Sequence, residues 1–117
     1  MDKEIKLIVY PVRDVAKARA LFSTLLGVKP YVDSAYYVGF KAGEHEIGLD
    51  PNAHSTGKGS PIVYWDVVDV RRSLQELLDA GAQQLQGITD VGGGLLIAVV
   101  KDADGNLLGL RQLPSGG

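Results

Sequence analysis

The sequence repeats itself. Placing Asp14 on Asp69 also places Tyr10 on Trp65, Val12 on Val67 and Val15 on Val70, a period of about 55 residues. In each copy an apolar stretch runs into an aspartate, and the aspartate opens a segment with helical spacing. The apolar positions are Val15, Ala18, Leu21, Phe22, Leu25 and Leu26 in the first copy, and Val70, Leu74, Leu77 and Leu78 in the second. An aspartate before such a run caps the exposed N–H groups of a helix start, and Gly27 and Gly81 are suited to stop it. The chain is therefore built twice from one unit, with one residue of difference in the cap-to-glycine distance.

The remaining segments of each copy have the character of strands. In the first, Ile5 to Val12 is mostly apolar, and Lys29 to Asp33, Tyr36 to Lys41 and Glu46 to Asp50 are separated by turn-forming residues. In the second, Pro61 to Val68, Gln83 to Thr89, Leu95 to Val100 and Leu107 to Gln112 follow the same order, with Gly92-Gly93-Gly94 as a turn. Pro51 to Ser60 has no apolar residue except Ala53 and reads as a linker. The result is βαβββ, linker, βαβββ: module 1 over about 4–50, linker 51–60 and module 2 over about 61–113 of a single 117-residue domain.

The last two strands form a hairpin. Leu95 to Val100 is rich in β-branched residues, and Asp102-Ala103-Asp104-Gly105-Asn106 supplies residues that bond their own backbone or tolerate positive φ. A calcium reading of that turn fails. Such a loop needs Gly at its sixth position and Glu at its twelfth, whereas here Gly105 is fourth and Leu113 twelfth.

Composition excludes several function classes. Net charge is −2 with both signs interspersed, so no basic stripe exists to track nucleic acid and no polybasic segment to hold a membrane surface. With no cysteine, thiolate chemistry and Cys-ligated metals are out. The opening MDKEIKLIVY lacks the apolar core of a signal peptide, and a cytoplasmic protein is expected. No Ser-His-Asp order, phosphate loop or nucleophile elbow is present.

The run AKARALFSTLLG, the DADGN turn between two strands and the closing NLLGLRQ together resemble the glyoxalase, bleomycin-resistance and extradiol-dioxygenase proteins, the vicinal oxygen chelate superfamily. The resemblance implies an α+β fold in which the two βαβββ modules form one cupped mixed sheet, with helices on the outer face and a cavity on the concave side. It also implies a homodimer, since relatives commonly close the cavity with a second copy.

Metal-using members of this superfamily place one ligand on the first and one on the last strand of each module, usually His, Gln or Glu. Carried over by motif, those positions fall on Leu7, Gly48, Ile62 and Gly109. None can donate to a divalent ion, and no neighbour within one residue repairs the set. A local cluster of His45, Glu46, Asp50 and His54 is conceivable, but nothing from the second module would complete it. No metal and no other cofactor is expected.

Alternation along the strands places Leu7, Val9, Glu46, Gly48, Asp50, Ile62, Tyr64, Asp66, Gly109 and Arg111 on the cavity face, with one of the adjacent Tyr36 and Tyr37 beside them and Tyr37 as the candidate ligand contact. Ile8, Tyr10, Val63, Trp65, Val67, Leu108 and Leu110 then face the helices, with Trp65 in the core. Asp66 and Arg111 should either pair across the cavity or both meet ligand and solvent at its mouth. The expected function is metal-free binding of a small organic molecule. The alternative, from family analogy, is a glyoxalase-type lyase, isomerase or dioxygenase.

Overall fold

The computed structural model describes residues 4–52 and 60–114. The elements follow the repeat: β1 (Glu4–Pro11), α1 (Val15–Leu26), β2 (Val32–Asp33), β3 (Val38–Ala42) and β4 (His45–Asp50), then β5 (Ile62–Asp66), α2 (Val70–Asp79), β6 (Gln83–Asp90), β7 (Leu96–Lys101) and β8 (Leu107–Gln112). The α+β class and the two βαβββ modules are as the sequence implies. By contacts the chain divides into two compact units, one over Lys6–Ile62 and one that joins the chain up to Ile5 with the chain from Val63 onward.

In the first module the strand order is β2-β3-β4-β1, antiparallel except for the parallel pair β1 and β4. In the second it is β5-β8-β7-β6, with β5 and β8 parallel. The parallel pair in each module is the one that the helix crossover makes possible.

The caps form as their residues dictate. The Asp14 carboxylate accepts the Lys17 N–H at 3.0 Å, and Gly27 closes α1 with φ 71°, a conformation that costs a glycine nothing. The Asp69 carboxylate accepts the Arg72 N–H at 3.1 Å, and the Gln112 side chain takes the Val70 N–H at 2.8 Å, which ties α2 to the end of β8. α2 ends earlier than expected, with Ala80 as the cap and Gly81 following at φ 110°.

Each helix lies over its own sheet. Under α1 the buried core is Val38, Phe40 and Leu49, joined by Tyr10, Ile47, Val15, Ala18, Phe22 and Leu26, with the Tyr10 and Phe22 rings 5.1 Å apart. Under α2 it is Val67, Val70, Leu74, Ala98, Val100 and Leu110, with Leu77, Leu78 and Leu108 at its margin. Completely burying a side chain such as Phe40 contributes roughly 1.5–3 kcal/mol, so these faces fix each sheet's orientation.

Several boundaries differ from the sequence expectation. β2 is only Val32–Asp33, because Lys29 to Tyr31 approach β3 without a ladder beyond the Tyr31 N–H to Gly39 carbonyl bond. β3 begins at Val38, since the Ser34 hydroxyl accepts the Tyr36 and Tyr37 N–H groups and holds those residues in a turn. β5 stops at Asp66, where the chain turns toward the Asp69 cap. Trp65 is half-buried and outside the core cluster, contrary to the expectation. Most of the linker, with His54, lies outside the described residues.

Candidate functional site

The face of each module that carries no helix can be built from the registers. In module 1, β1 and β4 pair Leu7 with Glu46, Val9 with Gly48 and Pro11 with Asp50, while β3 sets Lys41 beside Glu46 and Gly39 beside Gly48. Period-2 alternation puts all of these on one face. The two adjacent glycines leave a bare strip of backbone across β3 and β4, and tyrosines fill it. A side chain begun at Gly39 would meet the Tyr31 ring at 3.1 Å, and one begun at Gly48 would meet the Tyr37 ring at 2.7 Å at Cζ and collide with its hydroxyl.

Polar groups cluster beside this strip. The Tyr31 hydroxyl donates to the Glu46 carboxylate, Lys41 Nζ stands 3.6 Å from the same carboxylate, and that ammonium lies 4.5 Å from the centre of the Tyr31 ring. Asp50 turns instead to the chain after β4, accepting the Asn52 N–H at 2.8 Å. Tyr37 is the residue of the adjacent pair that covers the sheet; Tyr36 is 76% exposed.

Module 2 repeats the arrangement with one tyrosine. β5 and β8 pair Tyr64 with Gly109 and Asp66 with Arg111. The Tyr64 ring packs on Gly109 so closely that a side chain there would stand 2.5 Å from Cδ1 and 2.8 Å from Cγ. One step along, Arg111 Nε donates to Asp66 Oδ1 at 2.6 Å and Nη2 to Oδ2 at 3.1 Å, a two-pronged pair with side chains 9% and 18% exposed. Of the two arrangements expected for these residues, the salt bridge is the one formed.

Each sequence-derived site residue can now be placed. Within module 1, Leu7, Val9, Glu46, Gly48 and Asp50 share a face with Tyr37 over it; within module 2, Tyr64, Asp66, Gly109 and Arg111 do so. Ile62 opens β5 and is buried, as are Val9, Tyr64 and Arg111, so these four offer little surface of their own. Sequence reasoning missed Tyr31, Gly39 and Lys41. The facing glycines of the β3–β4 hairpin were the available signal, since paired glycines in strands mark a close approach by something else.

The four positions onto which the sequence resemblance carries a metal site do not offer a ligand set here. Leu7 and Ile62 have no donor atom, and the space beside Gly48 and Gly109 is occupied by tyrosine rings. Among the described residues no group of three or more His, Cys, Asp or Glu side chains could hold an ion. His45 opens β4 on the exposed side, and the imagined cluster with His54 extends outside the described residues.

Two βαβββ modules, each with its helix on one face of the strands, define the fold class of this chain. The family model described as Glyoxalase/Bleomycin resistance protein/Dioxygenase superfamily matches residues 4–110, and the chain belongs to that superfamily. No curated protein matches the sequence. Among solved structures, a hypothetical protein from Bacillus halodurans C-125 superposes with a TM-score of 0.79 at 15% identity, covering 100% of this chain and 99% of the other. A superfamily member from Vibrio splendidus 12B01 gives 0.70 at 17% identity, covering 91% and 95%. Methylmalonyl-CoA epimerase from Streptomyces coelicolor gives 0.72 at 13% identity, covering 99% and 100%. At these identities the likeness is one of fold.

Proposed function

We propose that this protein binds a small organic molecule on the helix-free faces of its strands, without a metal ion. The observation that carries the reading is the replacement, in both modules, of a ligand position by glycine with a tyrosine ring seated on it: Tyr37 over Gly48 and Tyr64 over Gly109. A metal-binding face needs converging N or O donors with open coordination positions. The half-buried Tyr37 and the exposed Tyr31 suit an organic ligand instead, because rings supply contact area and hydroxyl groups orient it, while the buried Tyr64 only fills the place of a ligand side chain.

Asp66 and Arg111 neutralise one another, and Glu46 is neutralised by Lys41 beside it, so the faces present polarity without a strong unbalanced field. That favours a molecule of mixed character over a highly charged one. An enzymatic role as a lyase, isomerase or dioxygenase would rest on relatives such as the epimerase alone, and fold is weak warrant for chemistry.

The test is a thermal-shift screen of aromatic natural products and metabolites in the presence of a chelator. At least one should raise the melting temperature, and its binding should perturb the ring signals of Tyr31 and Tyr37 in NMR spectra. If no compound raises it, or a compound does so only when divalent metal is supplied, the reading is wrong.

A further inference from the structure

The helix side of module 2 carries a cavity that the proposed function does not use. It measures about 400 Å3 and is lined by Trp65, Val67, Leu77, Leu108 and Leu110, with Ser73 and Glu76 of α2 at its polar side. Its origin is the placement of α2, which makes its contacts chiefly with β7, β8 and β6 and leaves the helix-side surface of β5 largely to itself. Trp65 projects from that part of β5. It is half-buried yet does not belong to the cluster beneath the helix, so one side of the indole borders the cavity.

We infer that this cavity is a second binding site, for a small hydrophobic amine carried as its ammonium ion. The wall is apolar on strands and helix alike, and its volume lies within the range of small-molecule sites. Among the described lining residues the one charged group is the Glu76 carboxylate, and an indole face is the best aromatic partner for a cation. An apolar body against Leu77, Leu108 and Leu110 with an ammonium between Trp65 and Glu76 matches the apolar wall, the indole and the carboxylate of the lining. Among the described residues Glu76 is paired with Arg72 at 3.8 Å, with the two side chains 56% and 78% exposed. An exposed i, i+4 pair of that kind is weak and yields to an incoming cation.

Trp65, the single tryptophan, reports on the site directly. Phenethylammonium, phenethyl alcohol and 3-phenylpropionate share a ring and differ in charge; each is titrated into the full chain with emission excited at 295 nm. The cation should give a saturable change, with the neutral probe about tenfold weaker and the anion weaker still. Glu76→Gln, an exposed helix substitution, should remove the preference for the cation while leaving the neutral probe unchanged. Ser73→Phe, which fills the cavity from its rim, should abolish the response to all three at an unchanged melting temperature. Equal responses to the three probes, no saturation, or an unaltered preference in Glu76→Gln overturns the assignment. So does a probe-free change in Trp65 emission that tracks protein concentration and dimer mass, which would make the cavity an interface between copies.

Discussion

The ring of Tyr64 on β5 rests on the α-carbon of Gly109 on β8, its register partner, leaving no room for a side chain between them. Glycine inside a strand ordinarily weakens it, so replacement by alanine should help if nothing stood in the way. Here the sign reverses. Gly109→Ala should lower stability by about 1–3 kcal/mol, the usual cost of overpacking, because the clash reaches the root of the Tyr64 ring at Cγ. Gly48→Ala should cost less, since the hydroxyl end of Tyr37 can swing aside more easily. Chemical denaturation of both variants measures this; a stabilised Gly109→Ala would show that the ring is not seated there.

The Asp66–Arg111 pair answers to a different rule. Two nearly buried charges held by two hydrogen bonds add little over an apolar pair, but removing one partner takes away a bidentate charge that the other is folded against. Asp66→Ala should therefore destabilise by about 3–5 kcal/mol, and Arg111→Met by a smaller amount because the remaining carboxylate is the more exposed of the two. The double variant should lose clearly less than the sum of the singles. Additive losses in a double-mutant cycle would place these side chains apart in solution.

In the hairpin turn, the Asp102 carboxylate accepts the Asp104 and Asn106 N–H groups at 2.9 and 2.8 Å and the Asn106 side chain at 2.9 Å. The Asn106 side-chain bond, followed by the backbone bonds, holds its pKa below the ordinary carboxylate value. A folded-state pKa below the unfolded one gives stability that is complete above the unfolded value and lost as pH falls through the folded one. Asp102→Asn should thus flatten the acid side of the stability profile while leaving the order of melting temperatures unchanged between pH 6 and 8. A profile whose acid limb is identical to the parent's would remove Asp102 from the account.

A homodimer remains our proposal for the assembled state. α1 exposes Leu21 and Leu25, 67% and 73% accessible, on the side away from its sheet, which is more apolar surface than one helix needs to leave open. Sedimentation equilibrium at micromolar concentration should return twice the 12.5 kDa chain mass. A single-chain mass would refute it.

What the sequence made legible followed from short-range rules. Asp14 and Asp69 announced their helices because capping is a local bond, and the DADGN turn announced its hairpin because those residues bond their own backbone. Alternation put Asp66 and Arg111 on one face, which left two arrangements open, and the salt bridge is the one the structure forms. It could not foresee that Tyr37 and Tyr64 lie on Gly48 and Gly109, because period 2 gives a side chain its face but not its reach or rotamer. Tyr31 went unnoticed for the same reason: it falls in the expected strand Lys29 to Asp33 but lies just before β2 in the structure, and it reaches Glu46 across a fifteen-residue separation. Trp65 was misplaced because the pattern says which face meets a helix, not how far across the sheet that helix extends.

Tyrosine rings cover Gly48 and Gly109, two of the positions onto which the family resemblance carries a metal site, and we propose that no metal binds there. Elemental analysis of the protein purified without chelator, after incubation with nickel, zinc, iron and manganese and removal of the excess, tests it most directly. The account predicts well below one equivalent of any metal per chain and a melting temperature unchanged by the incubation. One tightly held ion per chain would contradict it, and would mean that the strand faces carrying Leu7, Gly48, Ile62 and Gly109 are not the functional faces.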